Sequence, residues 1–130
     1  MSKLLARAKA KKSSAENSYN NMSLDDAYID ECCFNLQQAI EFTLKYLVEM
    51  AGEHYIENHD IRAQMNMLKR IDKYFPCEEK LRSMASTINS WEVDTRYNDN
   101  FVALLEDIDD AMKIADELIE YCEKQVKVVD

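Results

Sequence analysis

An all-α fold, an antiparallel bundle of about five helices, is predicted by two features of this sequence. Only one Gly and one Pro occur among 130 residues, too few for the tight turns of hairpins, sandwiches or phosphate-cradling loops. Apolar side chains meanwhile recur at the three-to-four spacing of a helix face along nearly the whole chain. The length suits a single domain over residues 1–130, with a basic first helix over 1–22 and the bundle core over 23–126.

Leu5, Ala8, Ala15 and Tyr19 mark the first helix, over residues 3–21, with Lys12 interrupting its apolar side. The run Ser23-Leu24-Asp25-Asp26 has the form of a capping box, so the second helix is expected to start there and to run to Met50. Two apolar stripes follow it. Ile29, Cys33, Leu36, Ile40, Leu44 and Leu47 form one, and Tyr28, Cys32, Ala39, Phe42, Tyr46 and Met50 the other. A helix apolar on two sides belongs at the centre of a bundle. Gly52 and the polar residues from Glu53 to Asn58 end it. Ile61, Met65, Leu68 and Ile71 then give a shorter third helix that stops before Pro76.

Pro76, Glu78 and Glu79 suit the first turn of a fourth helix, whose inner face is Leu81, Met84, Ala85, Ile88 and Trp91. The polar segment from Asp94 to Asn100 is expected to break it. A long fifth helix from Phe101 keeps helical spacing through Leu104, Leu105, Ile108, Met112, Ala115, Leu118, Ile119 and Cys122. Seven acids from Glu106 to Glu120 take its other faces, as a solvated surface rather than a metal site.

The formal net charge is −9, unevenly placed: residues 1–12 hold Lys3, Arg7, Lys9, Lys11 and Lys12 with no acid, leaving 11 bases against 25 acids, −14, in the rest. So acidic a body does not attract polyphosphate nonspecifically. The basic first helix is expected to pack on the acidic bundle rather than to act as an RNA-contacting arm. It lacks the continuous apolar run and cleavage pattern of an export signal, and no window has the apolar length of a membrane span. Cys32, Cys33, Cys77 and Cys122 show no CxxC spacing, and the adjacent pair points about 100° apart on a helix. Reduced core thiols in a cytoplasm, with no metal, are expected.

Within the second helix, Phe34-Asn35-Leu36-Gln37-Gln38-Ala39-Ile40-Glu41-Phe42-Thr43-Leu44-Lys45 resembles the signature of the HEPN family: an aromatic residue, paired glutamines, alanine, glutamate, then a Leu-Lys pair. His59-Asp60-Ile61 resembles the His-Asp-Leu that opens that family's third helix, and Arg96-Tyr97 its Arg-Tyr before the last. The resemblance spans nearly the whole chain. It implies a helical bundle that dimerises, in a family whose members act as RNA-cleaving toxins, partners of small nucleotidyltransferases or nucleotide-binding modules. Gln37, Gln38, Glu41, Lys45, His59 and Asp60 are its polar landmarks here, and Glu41 with Lys45 has the spacing of a favourable i,i+4 pair.

Nuclease members place a histidine a few residues after the arginine. Arg96 stands at the arginine position, but no histidine follows it. Cleavage through the RNA 2′-hydroxyl needs a base that titrates near neutrality as well as a cation, and only the cation is present. With no cofactor motif either, the sequence reads as a non-catalytic, homodimeric binding subunit, nucleotide-binding or paired with a nucleotidyltransferase. The alternative is a metal-independent ribonuclease with a degenerate Arg–His motif. Dimerisation is expected because Phe42, Tyr46, Met50 and Trp91 are large groups to leave wet. Arg96, Tyr97 and Asn98 are expected at a groove near the start of the fifth helix, where a cation, a ring and free helix amides would hold a phosphate or nucleotide. Glu92, Asp94 and Asp99 compete for the arginine, which limits affinity to roughly micromolar, about −8 kcal/mol.

Overall fold

The computed structural model describes residues 2–129, and side chains to residue 125. The domain limits expected at residues 1 and 130, and the side chain at the expected core limit of 126, lie outside the described residues. Five α-helices follow in order, α1 Leu4–Asn20, α2 Ala27–Met50, α3 Ile61–Arg70, α4 Glu78–Tyr97 and α5 Leu105–Val129, with no strand among the described residues. The predicted all-α bundle is the observed one.

α2 touches each of the other four helices. Its 24 residues span about 36 Å, and its first stripe is why it is central: Cys33, Leu36, Ile40, Leu44 and Leu47 are fully buried. Around it close Ile61, Met65 and Leu68 of α3, Leu81, Ala85, Ile88 and Trp91 of α4, and Ile108, Ala111, Ala115 and Leu118 of α5. Each such leucine, isoleucine or methionine contributes on the order of 1.5–3 kcal/mol when buried. Trp91 is only 1% exposed within the single chain, so the argument that it needs a second copy to stay dry does not hold. Phe42 and Met50 are half-buried.

α1 buries Leu4, Ala8, Ala15 and Ser18. Lys12, which breaks its apolar pattern, lies on the seam with α5, where it pairs with Asp116 and with Glu16. Lys9 pairs with Glu123 at 3.5 Å, and the Tyr19 hydroxyl donates to Asp109 Oδ1 at 2.7 Å. Basic α1 thus packs on acidic α5.

Three expected boundaries differ. α2 begins at Ala27, not Ser23, because the Asp25 carboxylate accepts the Ala27 N–H at 2.8 Å and residues 21–24 form a turn closed by Leu24 N–H on Asn21 O. α4 does not break at Asp94. It continues to Tyr97, since Thr95 Oγ1 and Arg96 Nε both bond back to carbonyls four residues earlier, on Trp91 and Glu92. α5 consequently starts at Leu105 rather than Phe101, and Leu104 and Leu105, expected in the core, are 65% and 54% exposed. No helix among the described residues is long and apolar enough to cross a membrane. All four cysteines are free thiols.

Candidate functional site

Gln37, Glu41 and Lys45 stand one turn apart on α2 and share one face. Glu41 is 1% exposed, and a bare carboxylate there would be costly, but it accepts from three groups. Gln37 Nε2 lies 3.0 Å from Oε1, Lys45 Nζ 3.0 Å from Oε2, and His59 Nδ1 3.1 Å from Oε1 and 3.4 Å from Oε2. Because a carboxylate only accepts, Nδ1 carries the proton and His59 Nε2 is left without a partner among the described residues. Gln37 Oε1 is buried and also unpartnered. Gln38, half-buried one residue round the helix, makes no side-chain hydrogen bond among the described residues.

His59 is held at this point by the start of α3. Asp60 is the N-cap, its Oδ1 accepting from Arg62 N–H at 2.9 Å. Asn89 of α4 accepts the Ile61 N–H at 2.9 Å and donates to Asp60 Oδ1 at 2.8 Å, fastening α3 to α4. Capping therefore falls to Asp60 and Asn89, while His59 reaches the buried carboxylate. Beside it, Lys45 Nζ lies 5.1 Å from the centroid of the Tyr55 ring, and Lys45, Tyr55, Glu57, Asn58 and His59 line an open cavity of about 260 Å³.

Arg96 stands elsewhere on the molecule than expected. It sits in the last turn of α4, whose free backbone groups are carbonyls, eight residues or more before the amides of α5. Its guanidinium donates to Glu92 O at 2.9 Å and pairs with the Glu92 carboxylate. The same guanidinium lies 5.3 Å from the Phe34 ring centroid and 5.3 Å from that of Tyr97, which is 74% exposed. Asn98 ends the helix and turns inward on the chain, accepting Asn100 N–H at 3.0 Å. Lys11 of α1 lies 5.9 Å from the same Phe34 ring, and no carboxylate pairs with it among the described residues.

Two polar centres thus share α2. Phe34 and Glu41 are seven residues apart, about 10 Å along the helix, so the Lys11–Phe34–Arg96 group and the Glu41–Lys45–His59 group are neighbours without touching. Sequence reading missed Lys11, Tyr55 and Asn89, because each acts from a different helix or loop and no local pattern marks it. Phe34 was visible only as the aromatic landmark. Among the described residues no group of three or more His, Cys, Asp or Glu is placed to hold a metal ion.

The family model of the HEPN domain matches residues 1–125. The chain belongs to the HEPN family. No curated protein and no solved structure matched it. The landmarks of this HEPN chain divide by role: Gln37, Glu41, Lys45 and His59 build one buried-carboxylate network, Asp60 caps α3, and Arg96 with Tyr97 ends α4.

Proposed function

We propose that this HEPN domain is a non-catalytic binding subunit that takes the phosphate of a nucleotide between Lys11 and Arg96, with Phe34 beneath them and the exposed Tyr97 ring offering a stacking surface. One observation carries the reading: two cations from helices far apart in sequence converge on a single ring, and only one of them is tied to a carboxylate. In a chain of net charge −9, such convergence favours an anion as the missing partner. Glu92 must yield part of its hold on Arg96, which keeps affinity near micromolar, about −8 kcal/mol. Isothermal calorimetry with mono- and dinucleotides tests it. Heat is expected for the parent and loss of about tenfold in affinity for Arg96→Ala and for Lys11→Ala; heat absent from all, or equal in all, removes the site.

A homodimer, joined across the half-buried Phe42 and Met50 of α2, and a nucleotidyltransferase chain as a protein partner complete this reading. Light scattering and co-purification from the native host test these.

The Glu41–His59 pair favours a second reading, a ribonuclease. His59 Nε2 would take the 2′-hydroxyl proton, O2′ would attack the adjacent phosphorus, and the 5′ oxygen would leave with a proton from water. The separation of about 10 Å between the two centres weighs against it, because one phosphate would have to meet both. Labelled RNA cut by the parent and not by His59→Gln would reverse the preference.

A further inference from the structure

The segments that lead into α2 and α5 carry apolar side chains in the open. Leu24 is 72%, Val102 81%, Leu104 65% and Leu105 54% exposed. Single exposed leucines are ordinary; here Val102 forms a wall of one depression, and Leu24, Leu104 and Leu105 lie within three residues in sequence of its walls. The depression is a cavity of about 560 Å³ where Ile29 meets Phe101 and Val102, edged by Asp26, Asp30 and Asp99. It forms because the start of α2 and the connection between α4 and α5 lie against each other, and both stretches are acidic. Residues 24–31 and 98–110 hold nine acids and no lysine or arginine. Asp109 and Asp110 are engaged by Tyr19 and Lys80, but Asp26, Asp30, Asp99 and Glu106 have no basic side chain paired with them among the described residues. Burial, then the neighbouring charges of Asp26 and Glu31, raises the Asp30 pKa, as expected where like charges crowd a partly dry wall.

We propose that this face docks a protein partner through a basic amphipathic segment, whose apolar side chains enter the cavity between Val102 and Ile29 and whose lysines or arginines meet Asp26, Asp30 and Asp99. Charge complementarity selects the occupant. An apolar segment alone would leave the carboxylates desolvated and unpaired, and a purely basic one would leave Val102 wet. The chain's own basic helix does not fill the role, because α1 is packed on α2 and α5. This face shares no residue with the Lys11–Phe34–Arg96 centre, and the proposal does not rest on nucleotide binding there.

The test uses the full chain and three fluorescein-labelled peptides of equal length: leucine and lysine at helical spacing, leucine and glutamate at the same spacing, and lysine with serine. Fluorescence anisotropy is expected to show saturable binding of the first peptide alone. Affinity should fall at least tenfold in the pair Val102→Ser, Leu104→Ser and in the pair Asp26→Asn, Asp99→Asn, both checked for folding by circular dichroism, and stay unchanged in Lys11→Ala. Absence of binding, equal binding in all variants, or equal binding of the lysine–serine peptide would overturn the proposal. A parent dimer that Val102→Ser, Leu104→Ser converts to a monomer would overturn it too, by giving the face to a second copy.

Discussion

Replacing Glu41 by Gln removes the one carboxylate that Lys45 Nζ and His59 Nδ1 both touch, at a side chain 1% exposed. Lys45 would keep its charge in a buried position without a counter-ion, the case in which breaking a pair costs most. Urea melts are expected to show a loss of about 3 kcal/mol for Glu41→Gln, and the double change Glu41→Gln, Lys45→Met should recover part of it. The i,i+4 spacing of this pair is plain in the sequence, but the sequence alone points to Gln38 as readily as to Gln37 as the amide one turn before Glu41, and the structure selects Gln37. The histidine is not. His59 arrives from a loop 18 residues later, and only the tertiary fold brings it to the carboxylate.

At the scale of helices, Asn89 fastens α4 to the start of α3, beside the Arg82–Asn66 hydrogen bond and the apolar core the two helices share. Asn89→Ala removes both the acceptor for Ile61 N–H and the donor to Asp60 and is expected to cost about 1–2 kcal/mol in a denaturant melt, while Asn89→Asp, which keeps the acceptor but sets a second carboxylate against Asp60, should cost at least as much. Deleting residues 1–12 should lower the melting temperature, since it removes Leu4 and Ala8 from α2 and Lys9 and Lys12 from their acids on α5. The helices with dense apolar stripes were legible: every inner-face residue expected on α4, from Leu81 to Trp91, is buried. Their ends were harder to read, for a physical reason. Thr95 and Arg96 read as loop by polarity, yet their side chains bond back to α4 carbonyls and extend it. That extension moves Arg96 to the carbonyl end of a helix and away from any free amide, so the anion site proposed above draws on Lys11 in place of the amides.

The molecule as a whole has a built-in sensitivity to alkali. Burial pushes the Cys32, Cys77 and Cys122 thiols from their ordinary 9.0 up to about 12, and pushes Cys33 up further. The hydrogen bond to Asp109, then burial, raises Tyr19 as well. A raised pKa here means that folding favours the protonated form. The unfolded chain begins to ionise near pH 9 while the folded one does not, so this stability is complete below that pH and is lost as pH rises toward 12. Thermal melts are expected to be level from pH 7 to 8.5 and to fall from above 9, with a shallower fall in Cys122→Ala; a melt unchanged at pH 11 would contradict it. The seam between α1 and α5 bears on how the chain emerges from the ribosome. Tyr19 and Lys12 wait for Asp109 and Asp116, which are made 90 residues and more later, so α1 and α2 must spend most of synthesis with that side uncovered. On α1 the waiting side presents a lysine, a tyrosine hydroxyl and small residues, whereas the stripe of α2 from Leu36 to Leu47 stays bare until the later helices arrive to cover it.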